Sequence, residues 1–272
     1  MSRPASVVAL VLALSACAGT PISRQAADVL IPPDEEVKLG QQVKAQLLKQ
    51  YKPLADPKVQ AYVQGVGARI VALDKGQLPA GITPHFTVLD SPQVNAFAIP
   101  GGDIFVFSGL LKAVNNEAEL ASVLSHEMGH VIKRHVAQGM VTQLGLQTIA
   151  SIVLGQNPSA IAKIGASLAA NGYLLKYSRD NEREADQVGM ATMIRSHDWD
   201  PHAMIAFFQE LEKSSGGGGF AFLQNHPPPA DRVQYLTREL AAAGNPGGHL
   251  YAARYQAIRA LVPVRAASPP QG

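Results

Sequence analysis

The chain has 272 residues, 47% of them hydrophobic and 16% charged, a composition that builds one large globular domain or two small ones and excludes a disordered polymer. The formal net charge is only +2, and no arginine-rich stripe or aromatic platform accompanies it, so a nucleic-acid partner is not expected.

The chain opens like an export signal. Arg3 supplies a positive start, Val7 to Leu14 an apolar stretch too short to span a bilayer, and small residues follow. The single cysteine, Cys17, stands directly after Leu14-Ser15-Ala16. That sequence resembles the lipobox of bacterial lipoproteins, so residues 1–16 are expected to be removed and Cys17 lipidated. Ala18, where an aspartate would signal retention, implies by the same resemblance the periplasmic side of the outer membrane, with the lipid anchor as the membrane contact. With one cysteine, no intrachain disulfide can form. Residues 17–33 read as a tether.

The domain proper is expected over 34–264. Asp34 is a candidate N-cap for a first helix carrying Val37, Leu39, Val43 and Leu47 and ended by Pro53. A second helix is predicted from Asp56 to about Ala72. The period then changes to two. His85–Leu89, Val94–Ile99 and Ile104–Phe107 read as strands, the last two forming a hairpin across Pro100-Gly101-Gly102-Asp103. A helix follows from Asn115 or Asn116 to about His135. The apolar stretch 139–175, broken at Gln156-Asn157-Pro158, reads as a helical hairpin that is buried or covers a cleft. Further helices are predicted over Asn181–Ser196, Pro201–Lys213 and Ala230–Ala243, with a flexible Ser/Gly loop at 214–219 and a disordered tail at 265–272.

The chemistry concentrates in His126-Glu127-Met128-Gly129-His130. Helical residues four apart share a face, so both imidazoles can reach one metal ion, and zinc takes such nitrogens. Glu127 is offset from that face and can take a proton from the attacking water as general base. Gly129 costs about 1 kcal/mol against alanine within a helix, which implies a packing or access reason, such as a strand or substrate passing close by. Catalytic zinc needs a third protein ligand. In Glu182-Arg183-Glu184-Ala185-Asp186 the first and last residues share a face. Glu182 is thus the candidate ligand and Asp186 the acceptor that orients a ligand histidine. Glu184 points elsewhere. His135, five residues beyond His130, falls off the ligand face and is expected not to ligate.

These pieces together resemble the HtpX-like and CAAX-prenyl-protease-like zinc metallopeptidases of the gluzincin group. The resemblance also covers Asn95-Ala96-Phe97-Ala98 with Pro100-Gly101-Gly102, Glu117-Ala118-Glu119-Leu120, Ser178-Arg179, and His226-Pro227 with Arg232. It implies an α+β, predominantly α, zincin-like fold with a small sheet or hairpin beside the His-Glu-x-x-His helix. It implies one zinc ion per chain, held by His126, His130 and Glu182. Long transmembrane helices and a C-terminal helical-repeat domain are not recognisable, so the small periplasmic lipoprotein type fits best.

In this setting Asn95, Ala96, Phe97 and Ala98 form an edge strand on which an extended peptide can add. Arg232 can polarise a scissile carbonyl or bind carboxylate. His226 can donate to the oxyanion or swing in as a fourth zinc ligand, as relatives with His-Pro here suggest. The function expected is an endopeptidase of the bacterial envelope acting on misfolded or mis-assembled proteins. The alternative is a chaperone or assembly factor, working with the outer-membrane assembly machinery, whose protease activity is latent.

Overall fold

The computed structural model describes residue 27 and residues 31–171, 177–214 and 221–264. The signal segment, Cys17, most of the tether, nearly all of the Ser/Gly loop and the tail lie outside the described residues.

Helix α1 (Pro33–Gln50) starts on two prolines rather than on Asp34. Pro32 occupies the cap position, and Asp34 sits in the first turn with Glu35 and Glu36, where the helix dipole favours negative charge. Helix α2 (Pro57–Asp74) is capped by Asp56, whose side chain accepts from the backbone N–H groups of Lys58 and Val59. Three strands follow: β1 (His85–Leu89), β2 (Ala96–Ala98) and β3 (Asp103–Phe107). The expected hairpin is present: β2 pairs antiparallel with β3, Ala96 opposite Val106 and Ala98 opposite Ile104. Strand β1 pairs parallel with β3 on the other side, giving the order β1-β3-β2. The hairpin turn needs Gly101 and Gly102, both at positive φ.

A short helix α3 (Ser108–Ala113) leads into α4 (Glu117–Ile132), whose sixteen residues are all buried. A helix buried on every face is the centre of its domain, yet this one carries two histidines and three glutamates. Its N-terminus is fixed by charge. Glu117 accepts from Trp199 Nε1 at 2.8 Å and pairs with Arg254, Arg69 and Tyr62.

The helix ends three residues before His135, the expected end. Arg134 adopts a left-handed conformation, φ 57°, and a new helix α5 begins (His135–Leu144). That conformation is unfavourable for a residue with a side chain. It is held because the buried Arg134 guanidinium pairs with the buried Glu36 at 2.7 Å and donates to the carbonyl of Ile31. The apolar stretch continues as α6 (Leu146–Val153) and α7 (Pro158–Asn171), breaking at Gly145 as well as at the foreseen Gln156-Asn157-Pro158. Among the described residues no helix is long and apolar enough to cross a membrane.

Helix α8 (Arg179–Ser196) begins with a capping box between Ser178 and Asn181. Next come α9 (His202–Ser214), α10 (Ala221–Asn225), α11 (Arg232–Ala242) and α12 (Ala252–Leu261). Neither α10 nor α12 was anticipated. Helix α12 docks largely through polar contacts, such as Tyr255 Oη donating to the carbonyl of Leu111, and these leave little hydrophobic periodicity.

The most extensive contact between described elements is that of α4 with α8. Two glycines let the backbones meet. A Cβ on Gly129 would lie 2.7 Å from the carbonyl oxygen of Ala185, and one on Gly189 would lie 3.1 Å from the His126 nitrogen. The neighbour implied by Gly129 is therefore helix α8 and not a strand or a substrate.

Gly129→Ala is expected to force the two helices apart and destabilise the protein by about 1–3 kcal/mol. Thermal melts should show a fall in Tm of several degrees. Gly65→Ala is the control: its Cβ meets nothing within 4 Å, and its Tm should be unchanged or slightly higher.

Candidate metal centre

The crossing of α4 with α8 sets His126 and His130 of one helix against Glu182 and Asp186 of the other, all fully buried. His226, at the end of α10, completes the group. One donor atom each from His126, His130, Glu182 and His226 lies within 4.8 Å of the others.

The separations are more telling than the limit. His126 Nε2 lies 3.2 Å from His130 Nε2 and 3.2 Å from His226 Nδ1. Glu182 carboxylate oxygens lie 3.0 Å from His226 Nδ1, 3.4 Å from His130 Nε2 and 3.5 Å from His126 Nε2. A tetrahedron drawn around zinc at its usual nitrogen and oxygen distances has edges of ~3.3 Å. Hydrogen bonding alone does not account for three imidazole nitrogens turned toward one point, since each contact needs a donor and an acceptor.

Charge leads to the same conclusion. Glu127, Glu182 and Asp186 are buried carboxylates, and Arg232 is the buried guanidinium beside them. With the imidazoles neutral, as metal ligands are, two negative charges are left over, the charge of one divalent cation. The residues therefore fit a zinc ion in both donor type and balance.

Asp186 accepts from Nδ1 of His126 at 2.8 Å, which leaves Nε2 to face the cluster. Burial pushes the His126 imidazole down, but Asp186 and Glu182 outweigh it and push it up to about 10. Burial holds His130 well below the usual range. Glu182 behaves oppositely: burial raises it, and His226, His126 and His130 together hold it well below the carboxylate range.

Glu127 stands beside the donor set and does not belong to it. Its Oε2 accepts from the backbone N–H of Ala98 at 3.1 Å. Its Oε1 faces His226 Nε2 at 3.3 Å without the geometry of a hydrogen bond. Burial pushes its carboxyl above the usual range, the direction that suits a group which takes and returns a proton.

Arg232 is directed into the chain's own carboxylates. Nε donates to Asp186 Oδ2 and Nη2 to Glu182 Oε2, both at 2.7 Å.

The expected edge strand is present, and in this structure it is covered. β2 lies at the sheet's edge, but Asn95, Ala96, Phe97 and Ala98 are at most 2% exposed. Phe97 packs on Phe105 and Phe107 in the core, with ring centroids 5.7 and 5.6 Å away. The free rim is covered: Glu127 takes the Ala98 N–H, and Phe222 of α10 donates its backbone N–H to the carbonyl of Val94. An edge followed by a small helix cannot be seen to be covered from local pattern.

Three neighbours of the site, Tyr177, Phe222 and Tyr235, were not singled out in the sequence. Tyr177 stacks on His130 at 3.9 Å, and Phe222 stacks on His226 at 4.4 Å. Tyr235 donates its hydroxyl to Asp186. Its signal was legible, since it lies three residues after Arg232 on the same helix face. His135, foreseen only as a non-ligand, reaches His130 Nδ1 at 3.0 Å. Nothing local marks Tyr177.

Comparison with known proteins agrees with this geometry. The model of Peptidase family M48 matches residues 57–240, a span holding every member of the cluster. The beta-barrel assembly-enhancing protease of Yersinia pestis is 34% identical over 212 residues, 74% of this chain and 43% of that protein. Mitochondrial metalloendopeptidase OMA1 of Arabidopsis thaliana is 34% identical over 158 residues, covering 58% and 32% of the two chains. Metalloprotease LoiP of Escherichia coli is 29% identical over 167 residues, 59% and 64%. The chain spans about two fifths of the length of the assembly-enhancing proteases it matches. With the family model covering well over half of its residues, the chain belongs to peptidase family M48, the zinc metallopeptidases.

Proposed function

We propose that this chain is a zinc-dependent endopeptidase of the bacterial envelope, with His126, His130 and Glu182 as metal ligands and Glu127 as general base. The observation that carries the reading is the set of donor separations of 3.0–3.5 Å with Glu127 alongside. Zinc supplies Lewis-acid polarisation of a scissile carbonyl and acidifies water. Glu127 accepts the water proton and delivers it to the leaving amine. Asp186 holds the His126 ring, and Arg232 holds Asp186 and Glu182 in register. The names of the relatives favour polypeptides of outer-membrane assembly as substrates. The Cys17 motif favours lipid anchoring at the periplasmic face of that membrane.

His226 takes the place where a peptidase needs an open position, and α10 covers the strand on which a peptide would add. This supports a resting site closed by the chain itself. It also favours a second reading, an assembly factor whose protease activity is latent, and complementation separates the two. A Glu127→Gln variant that restores envelope integrity in cells would favour assembly over cleavage.

Two substitutions test the site. Glu127→Gln is expected to keep zinc and fold yet lose about 10²–10⁴-fold in cleavage of an unfolded protein, measured by peptide release. Parent-like cleavage would show that Glu127 is not the base. His226→Ala is expected to keep zinc and raise cleavage, because three ligands remain and the fourth position opens. A fall in rate with zinc retained would assign His226 to the oxyanion instead.

A further inference from the structure

His135 is a buried titratable group in contact with the site that the proposed mechanism leaves unused. On an uninterrupted helix it would lie roughly 140° around the axis from His130 and could not touch it. The left-handed Arg134 breaks the helix and turns the chain back, and the Glu36 pair and the Ile31 carbonyl hold that turn. The His135 ring then meets His130 edge-on, centroids 5.0 Å apart at 72°, while Tyr177 covers the His130 face.

The contact joins the two Nδ1 atoms at 3.0 Å, and one of them must donate. If His130 Nε2 is turned to the metal, the proton of its neutral ring is on Nδ1, and His130 is the donor. His135 Nδ1 then accepts, its own proton lies on Nε2, and Nε2 faces Glu184 Oε2 at 3.4 Å. Every nitrogen in this chain has one consistent role. The two ligand histidines are thus supported differently: His126 by a buried carboxylate, His130 by a neutral imidazole that leads to the half-exposed Glu184.

We propose that His135 is a positioning residue for the metal site, fixing the tautomer and ring orientation of His130, with Glu184 fixing His135 in turn. The inference rests on His130 being a ligand through Nε2. Outer partners of this kind change metal affinity, because they hold the ligand nitrogen on target and raise its basicity.

The test measures zinc affinity by chelator competition for the parent, His135→Leu, His135→Asn and His130→Ala. Cobalt spectra of the same proteins and circular dichroism of their metal-free forms accompany it. His135→Leu is expected to bind zinc about ten- to a hundred-fold more weakly and to alter the visible cobalt bands. Asparagine places Oδ1 where Nδ1 stood and accepts the same hydrogen, so His135→Asn should stay within about threefold of the parent. Parent-like affinity in His135→Leu, or equal loss in the leucine and asparagine variants, overturns the inference. His130→Ala separates the causes. If it loses zinc while His135→Leu does not, only the role of His135 falls. If it binds zinc like the parent, the ligand assignment falls and the inference with it.

Discussion

Three fully buried carboxylates, Glu127, Glu182 and Asp186, lie together in this protein with one buried guanidinium among them. Isolated charges of that kind cost several kcal/mol each to bury, and they persist only when paired and hydrogen-bonded. Arg232 answers part of the demand by bridging Glu182 and Asp186. The rest calls for a divalent cation, and three imidazole nitrogens turn toward the place where it would sit. The surrounding polar groups follow from that deficit. Asp186 engages His126, Tyr235 engages Asp186, and the Ala98 N–H engages Glu127. With a divalent cation bound the centre would be balanced in charge, so its members are expected to be coupled and not additive.

The helices that carry these groups have to be close and immobile. Ligand nitrogens tolerate errors of a few tenths of an ångström, and helices normally pack 8–10 Å apart. Gly129 and Gly189 let the backbones of α4 and α8 approach closely at two points. The ends of α4 are fixed as well. Glu117 gathers Trp199, Arg254, Arg69 and Tyr62 at one end, and Arg134 pairs with Glu36 at the other. The charged residues and histidines of α4 thus include His126, Glu127 and His130 at the candidate metal site and Glu117, which ties down the start of the helix.

The covered state bears on the endopeptidase activity proposed above. An uncontrolled endopeptidase beside unfolded chains is a hazard. Here α10 and His226 occupy both the strand edge and the fourth donor position. Phe222 lies against His226 and bonds Val94, so displacing one disturbs the other. Displacing α10 would therefore free the β2 edge and the fourth donor position together.

The sequence by itself determined the chemistry. His126, Glu127 and His130 are close in the chain, and helical spacing alone aligns them. Glu182 and Asp186 form a second aligned pair. The order of helices, hairpin and helices was also legible, because each element leaves a period of 3.6 or 2, with boundaries off by a few residues where Asp34 proved to lie inside a helix and Arg134 ended one. Tertiary structure alone decided which groups face one another. Whether β2 is open, where Arg232 points and which ring supports His130 depend on residues about five to well over a hundred positions apart. No local period encodes such contacts. His135 shows the reason most clearly: its place on a continuous helix turns it away from His130, and a left-handed residue held by a distant glutamate turns it back.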